Sequence, residues 1–183
     1  MCTLMARVFA AFELSPGMKE QLAAAQAVLR KSTARLTFVD PAIIHITAKF
    51  LGEVEEKKIP QVIAALRTVQ ATPFPVTGGR ITVNNPRRPH TVWCAIDDGG
   101  RARGVVSAVE AALAPLGFPC ETRPFTCHAT LARVKETDPS LFSCLEALKD
   151  HACGACMIAG IKLKKSTLTP RGPVYEDLCE VAW

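Results

Sequence analysis

Two short phrases in this chain carry the same set of chemistry-bearing side chains. His45-Ile46-Thr47 lies within IIHITAKFLG, and His128-Ala129-Thr130 lies within TCHATLARV. In a β-strand, residues two apart share a face. Each phrase would therefore aim one imidazole and one hydroxyl at the same side of a sheet. An unperturbed imidazole titrates near about 6.5, so one histidine can start neutral as a base while the other starts protonated as an acid. Two such groups facing one cleft suffice for concerted proton transfer without a metal. The threonine hydroxyls add donors for oxygens on which charge builds. A single Thr in a strand needs no explanation beyond strand propensity. Two at identical offsets from two histidines point to a site.

The surroundings of the phrases repeat as well. A strand-like run, Arg7 to Phe12, and a helix-like stretch from about 16 to 31 precede the first. Thr91 to Ile96 and a helix-like stretch from about 101 to 116 precede the second. Phe9 stands 36 residues before His45, and Trp93 stands 35 before His128. Arg35 with Phe38, and Arg123 with Phe125, lie just upstream of the two phrases. The pattern is that of a duplicated strand–helix–strand unit. Two such units packed about a pseudo-twofold axis would bring equivalent histidines face to face.

These elements set the expected fold. Strands are predicted over about 4–12, 36–39, 43–51, 76–83, 91–97, 126–134, 156–165 and 174–181. A further helix is expected over 55–71, where Ile59, Val62, Ile63, Leu66 and Val69 follow helical spacing. Another starts at Asp138-Pro139, with Asp138 as cap. Adjacent strands without an intervening helix favour α+β over a doubly wound parallel sheet. The expected architecture is two pseudo-symmetric lobes within one bilobal domain over residues 1–183. Each lobe would be an antiparallel or mixed sheet backed by helices, with a central groove between them.

The bulk properties exclude several classes. Nearly half of the 183 residues are hydrophobic and 21% are charged, so a disordered chain is not expected. The net charge of +5 suits an anionic substrate but does not by itself indicate nucleic-acid binding. Basic residues gather at Arg87-Arg88, at Arg101 and Arg103, and at Lys162, Lys164 and Lys165. The longest apolar run, 152–161, is far short of the roughly 20 residues that span a bilayer. No signal-peptide pattern opens the chain, so a cytoplasmic protein without a membrane partner is expected. Eight scattered Cys fit reduced, mostly buried thiols. His90 falls in a proline-rich turn and is expected to be exposed. His151, Cys153 and Cys156 lack the second ligand pair of a zinc site. No metal and no cofactor are expected.

The two His-x-Thr phrases make the chain similar to the 2H phosphoesterases. Within them it most resembles the RNA 2′,3′-cyclic phosphodiesterases of bacteria and archaea, long called 2′-5′ RNA ligases. The resemblance extends from Arg7-Val-Phe-Ala-Ala-Phe-Glu-Leu14, through Pro86-Arg87-Arg88-Pro89 and Val92-Trp93, to Lys165-Ser166-Thr167-Leu168. Ala48 replaces the usual Leu of the first phrase, and Cys127 is uncommon before the second His. Neither departure touches a His or a Thr.

The resemblance implies hydrolysis of an RNA 2′,3′-cyclic phosphate end to a 2′-phosphate. His45 would protonate the leaving oxygen and His128 would accept the proton of water. The residues by themselves permit the reverse assignment. Thr47 and Thr130 would hold phosphoryl oxygens. Arg133 matches the Arg that ends the family's second phrase. Its interval of five from His128 is odd, so strict alternation puts it on the opposite face unless a bulge intervenes. The implied partner is RNA with a 2′,3′-cyclic phosphate terminus, with a monomer favoured. Ligation, the reverse of opening a 2′-5′ linkage to a cyclic phosphate, would use a 5′-hydroxyl in place of water. A related enzyme of small cyclic nucleotides or 2′-5′ linkages, or a non-catalytic nucleotide-binding module, are the alternatives.

Overall fold

The computed structural model describes residues 4–170 and 172–183. Nine strands are present: β1 (Met5–Glu13), β2 (Arg35–Phe38), β3 (His45–Glu55), β4 (Phe74–Val83), β5 (Thr91–Asp97), β6 (His128–Glu136), β7 (Ala155–Ile158), β8 (Gly160–Thr169) and β9 (Gly172–Ala182). Four α-helices join them: α1 (Pro16–Leu29), α2 (Ile59–Leu66), α3 (Arg101–Leu113) and α4 (Pro139–Ala147). Helix starts follow local chemistry. The Ser15 hydroxyl accepts from the Met18 amide, and the Asp138 carboxylate accepts from the Ser140 amide, with a proline opening each first turn. The helix expected over 55–71 is shorter, with a 3₁₀ turn at Glu56–Lys58 ahead of Pro60.

Every ladder is antiparallel, in the order β7-β4-β5-β6-β3-β1-β8-β9, with β2 also on β6. One half of the sheet is β3-β1-β8-β9, and the other is β7-β4-β5-β6 with β2. The halves meet through a single bridge, Ile46 to Ala129. The two expected lobes are thus one sheet, narrowed to one residue pair at its waist. Helix α1 packs on α4, α2 packs on α3, and α3 lies on β3. The helices cover the face holding Val8, Ala10, Phe12, Ile46, Ala129 and Leu131, all in one core cluster.

The run expected as one strand over 156–165 is two. It breaks at Ala159, with β7 in one half and β8 in the other. A Cβ at Gly160 would lie 2.6 Å from the Val181 carbonyl oxygen, so the chain crosses between halves where only glycine fits. Among the described cysteines, Cys94 and Cys153 are buried, four are half-buried and Cys120 is exposed, all unpaired. Cys2 lies outside the described residues. Burial is lower than expected because several thiols sit on partly covered loops and edge strands. No helix of the described residues is long and apolar enough to cross a membrane.

Candidate active site

The bridge at the waist places the two phrases. Ile46 and Ala129 point into the core, at 1% and 0% exposure, so their neighbours point to the opposite face. Continuing the antiparallel register one residue each way sets His45 opposite Thr130 and Thr47 opposite His128. The four predicted side chains therefore surround one point on the uncovered face. All four are half-buried.

The imidazoles are held alike. His45 Nδ1 donates to the Ile43 carbonyl at 2.8 Å, and His128 Nδ1 donates to the Thr126 carbonyl at 2.7 Å. A carbonyl only accepts, so the fixed proton sits on Nδ1 in each ring. That leaves Nε2 as the nitrogen that gains or gives a proton. His45 Nε2 lies 3.0 Å from the Thr47 hydroxyl, which donates to it when the ring is neutral and accepts when it is protonated. Burial pulls both histidines below the ordinary imidazole range. Around His45, the Ile43 carbonyl and the Glu13 carboxylate oppose that pull, while Lys164 and Lys19 add to it. Around His128, the Thr126 carbonyl opposes it and Arg133 adds to it.

Arg133 reaches the same face because β6 carries a bulge. Val92 pairs with Ala132 and Trp93 with Thr130, which leaves Leu131 as an extra residue. Leu131 and Ala132 both point into the core, and alternation resumes one step out of phase. The odd interval from His128 is thereby converted into a shared face. Arg133 is exposed and donates to the Thr91 hydroxyl at 3.0 Å. The carbonyl of Leu131 is met by the Val39 amide and by Nε2 of Gln26, each at 2.9 Å; Gln26 is 2% exposed. The first half has the same bulge. Ala10 pairs with Lys49 and Ala11 with Thr47, leaving Ala48 extra, with Ala48 and Lys49 both buried. Lys49 Nζ points inward to Glu110 at 3.1 Å and to the Pro119 carbonyl at 2.7 Å. Phe50 is the counterpart of Arg133, and its ring is 59% exposed.

Several residues that sequence reasoning passed over complete the groove. Phe9 stacks on His45 with ring centroids 4.9 Å apart, and Tyr175 meets both rings edge-on at 4.9 and 5.5 Å. Trp93 leans on His128 at 4.3 Å. The spacing that matched Phe9 to Trp93 does not survive the register. Phe9 pairs with Phe50, whereas Trp93 pairs with Thr130, so the true counterpart of Phe9 is Thr91. Large rings reach the two histidines from different rungs, which sequence distance alone conceals. Arg35 and Phe38 lie in β2, whereas Arg123 and Phe125 lie in coil, so that expected match is also broken.

Glu13 pairs with His45, and Ala95 with His128. Glu13 is held by Lys19 at 3.0 Å and Lys164 at 2.7 Å; these outweigh the effect of burial and keep its carboxyl below the usual range. His90 is exposed. The His151 ring meets the Gln21 carbonyl, Cys153 Sγ donates to the Gly79 and His151 carbonyls, and Cys156 Sγ lies against the Met18 sulfur.

A site with paired imidazoles, paired hydroxyls and a guanidinium can move two protons across a bound phosphodiester while neutralising its oxygens. The family described as LigT like Phosphoesterase matches twice, over residues 12–94 and 97–175, each match containing one His-x-Thr phrase. A protein of Archaeoglobus fulgidus named RNA 2′,3′-cyclic phosphodiesterase is 30% identical over 175 residues, 94% of this chain and 97% of that protein. One of Methanocaldococcus jannaschii, named alike, is 32% identical over 95% of this chain and 99% of its own length. Among solved structures, TT0787 of Thermus thermophilus superposes with a TM-score of 0.77 at 26% identity, covering 96% of this chain and 97% of that one. E. coli LigT complexed with 3′-AMP gives 0.78 at 21% identity over 98% of each, a likeness of fold. With the family's pattern matched twice along most of its length, the chain belongs to the LigT-like phosphoesterases.

Proposed function

We propose that this chain hydrolyses the 2′,3′-cyclic phosphate at the end of an RNA strand, leaving a 2′-phosphate, with the two histidines as its acid and base. The Ile46–Ala129 bridge carries this reading, because it faces the phrases across one backbone step. The relatives' name supplies the substrate class.

The cyclic phosphate has one negative charge and a strained five-membered ring. By the family resemblance His128 is the base, and its Nε2 takes a proton from the attacking water. His45, whose protonated form the Glu13 carboxylate favours, is the acid and gives its proton from Nε2 to the departing 3′ oxygen. One P–O bond forms to water oxygen and one breaks to O3′. The proton lost by water ends on His128, and exchange with solvent resets the pair. Thr47, Thr130 and Arg133 donate to the non-bridging oxygens as charge grows on them. A 5′-hydroxyl attacking in place of water, with the same loss of O3′, gives 2′-5′ ligation. All these groups come from one chain, so a monomer working as one bilobal unit suffices. Free thiols fit a reducing, cytoplasmic setting.

The test is turnover of an oligoribonucleotide ending in a 2′,3′-cyclic phosphate, followed by phosphorus NMR. A 2′-phosphate product is expected. An end left cyclic by stoichiometric enzyme rejects the reading. A 3′-phosphate rejects the assignment of O3′ as leaving group and leaves the histidine pair standing.

A further inference from the structure

Three basic clusters stand out in the sequence, and the fold treats them differently. Lys162, Lys164 and Lys165 are neutralised by Asp177, Glu180, Glu13 and Glu56. Arg101 and Arg103 lie on α3, which packs on the helix-covered side of the sheet. Arg87 and Arg88 occupy the β4–β5 turn, and this turn abuts the groove. Its position is fixed by two asparagines. Asn85 Oδ1 accepts from the amides of Arg87 and Arg88, and Asn84 Oδ1 accepts from those of His90 and Thr91. The Val134 amide donates to the His90 carbonyl, which locks the turn to β6 beyond Arg133. Thr91 itself accepts from Arg133. Arg88 lies three positions before Thr91, so the two stand no more than about 11 Å apart along the chain.

Arg87, Arg88, Arg133 and Lys135 are all exposed. Among the described residues, none of the four has a carboxylate within ion-pair distance. The surface next to the phosphate site is thus an uncompensated row of positive charge on a rigid support. Such a row fits a chain of phosphates rather than a single one.

We propose that the row from Arg133 past Lys135 to Arg87 and Arg88 binds the phosphates of the RNA strand that precedes the cyclic end. This rests on the reading of the chain as an RNA-end hydrolase, and it adds the surface on which the strand behind that end lies. The cations act by counterion release, so their contribution grows with strand length and falls with salt. They do not discriminate bases.

The experiment compares a nucleoside 2′,3′-cyclic monophosphate with a ten-residue strand carrying the same end, for the natural chain and for R87A/R88A. A fluorescein-labelled strand with a 2′-phosphate end supplies a binding measurement that needs no turnover. The double variant is expected to lose about five- to tenfold in kcat/KM and in affinity on the strand. Its log affinity against log salt should flatten by about 1.4, since each single-strand phosphate contact contributes about 0.7. Turnover of the monophosphate should stay at its natural rate, which also shows that the variant is folded. Equal losses on both substrates, or none on either, overturn the proposal. Binding that responds to the substitutions without any turnover would keep the track and reject the hydrolase reading. Turnover with no response to the substitutions does the opposite.

Discussion

The two halves of the groove share a backbone and differ in chemistry. Rung by rung, Phe50 faces Phe9 in the first half where Arg133 faces Thr91 in the second. Glu13 stands beside His45 where Ala95 stands beside His128. The first wall is therefore aromatic, with Phe9 in contact with both Phe50 and Tyr175 and an acid next to its histidine. The second is polar and cationic at the matching rungs, with Trp93 against its histidine. A phosphate at the waist meets nearly equivalent imidazoles, but the groups attached to it meet unlike walls. The repeated phrase offers two like imidazoles, and the difference between the flanking rungs would give the pair a direction. An exposed ring such as Phe50 suits a base, which presents a π-face, and Arg133 suits phosphate oxygens.

Loss of either histidine should be the largest effect and should be alike on both sides. His45→Ala and His128→Ala are each expected to lower kcat by about 10²- to 10⁴-fold with the melting temperature close to that of the natural chain. The double variant should fall short of the product of the two losses, because the residues act as a unit. Near-natural turnover by either folded variant would sink the two-histidine mechanism.

The walls should then part company. Arg133→Ala should cost roughly tenfold or more in kcat/KM on every cyclic phosphate, whatever the base. Phe50→Ala should cost less, and unequally between purine and pyrimidine ends, since stacking contributes about 1–3 kcal/mol per base. A base-dependent loss at Arg133 and a uniform one at Phe50 would reverse the assignment of walls.

A pH profile separates the flanking charges. The natural chain should give a bell in kcat/KM, with both limbs belonging to the coupled pair. The Glu13 charge favours protonated His45, so Glu13→Gln should move the basic limb to lower pH. Ala95→Glu should favour protonated His128 and move the acidic limb to higher pH. If Glu13→Gln leaves the basic limb in place, the carboxylate serves only to anchor its lysines. Chelation is the smallest expected effect: activity should persist in EDTA, and loss with recovery on one divalent ion would overturn the proposed chemistry.

The strands and the pairing of the phrases were legible because period-two patterning and a repeated motif are local signals. The α+β architecture followed from the order of elements. What stayed hidden depends on register. The bulge at Leu131, which brings Arg133 into the groove, leaves no mark in the sequence beyond an odd interval. Its twin at Ala48 makes Phe50 a groove residue and Lys49 a buried one, and nothing in AKFLG separates these roles. Tyr175 comes from β9, more than forty residues past the second phrase. Glu13 falls just past the strand expected over 4–12. Only the pairing with His45 gives it meaning.

Gln26 has no atom in the groove, yet its amide caps the Leu131 carbonyl at the bulge, beside the Val39 amide that follows β2. Losing that donor leaves the carbonyl with the Val39 amide alone, at the cost of one hydrogen bond, about 0.5–1.5 kcal/mol. A ladder that recovered by drawing Leu131 back into register would swing Arg133 to the other face. A genetic selection for inactive variants should therefore return Gln26 among its hits, far along the chain from either motif. Such a hit would read as a catalytic lesion in an activity screen and as a folding lesion in a thermal one.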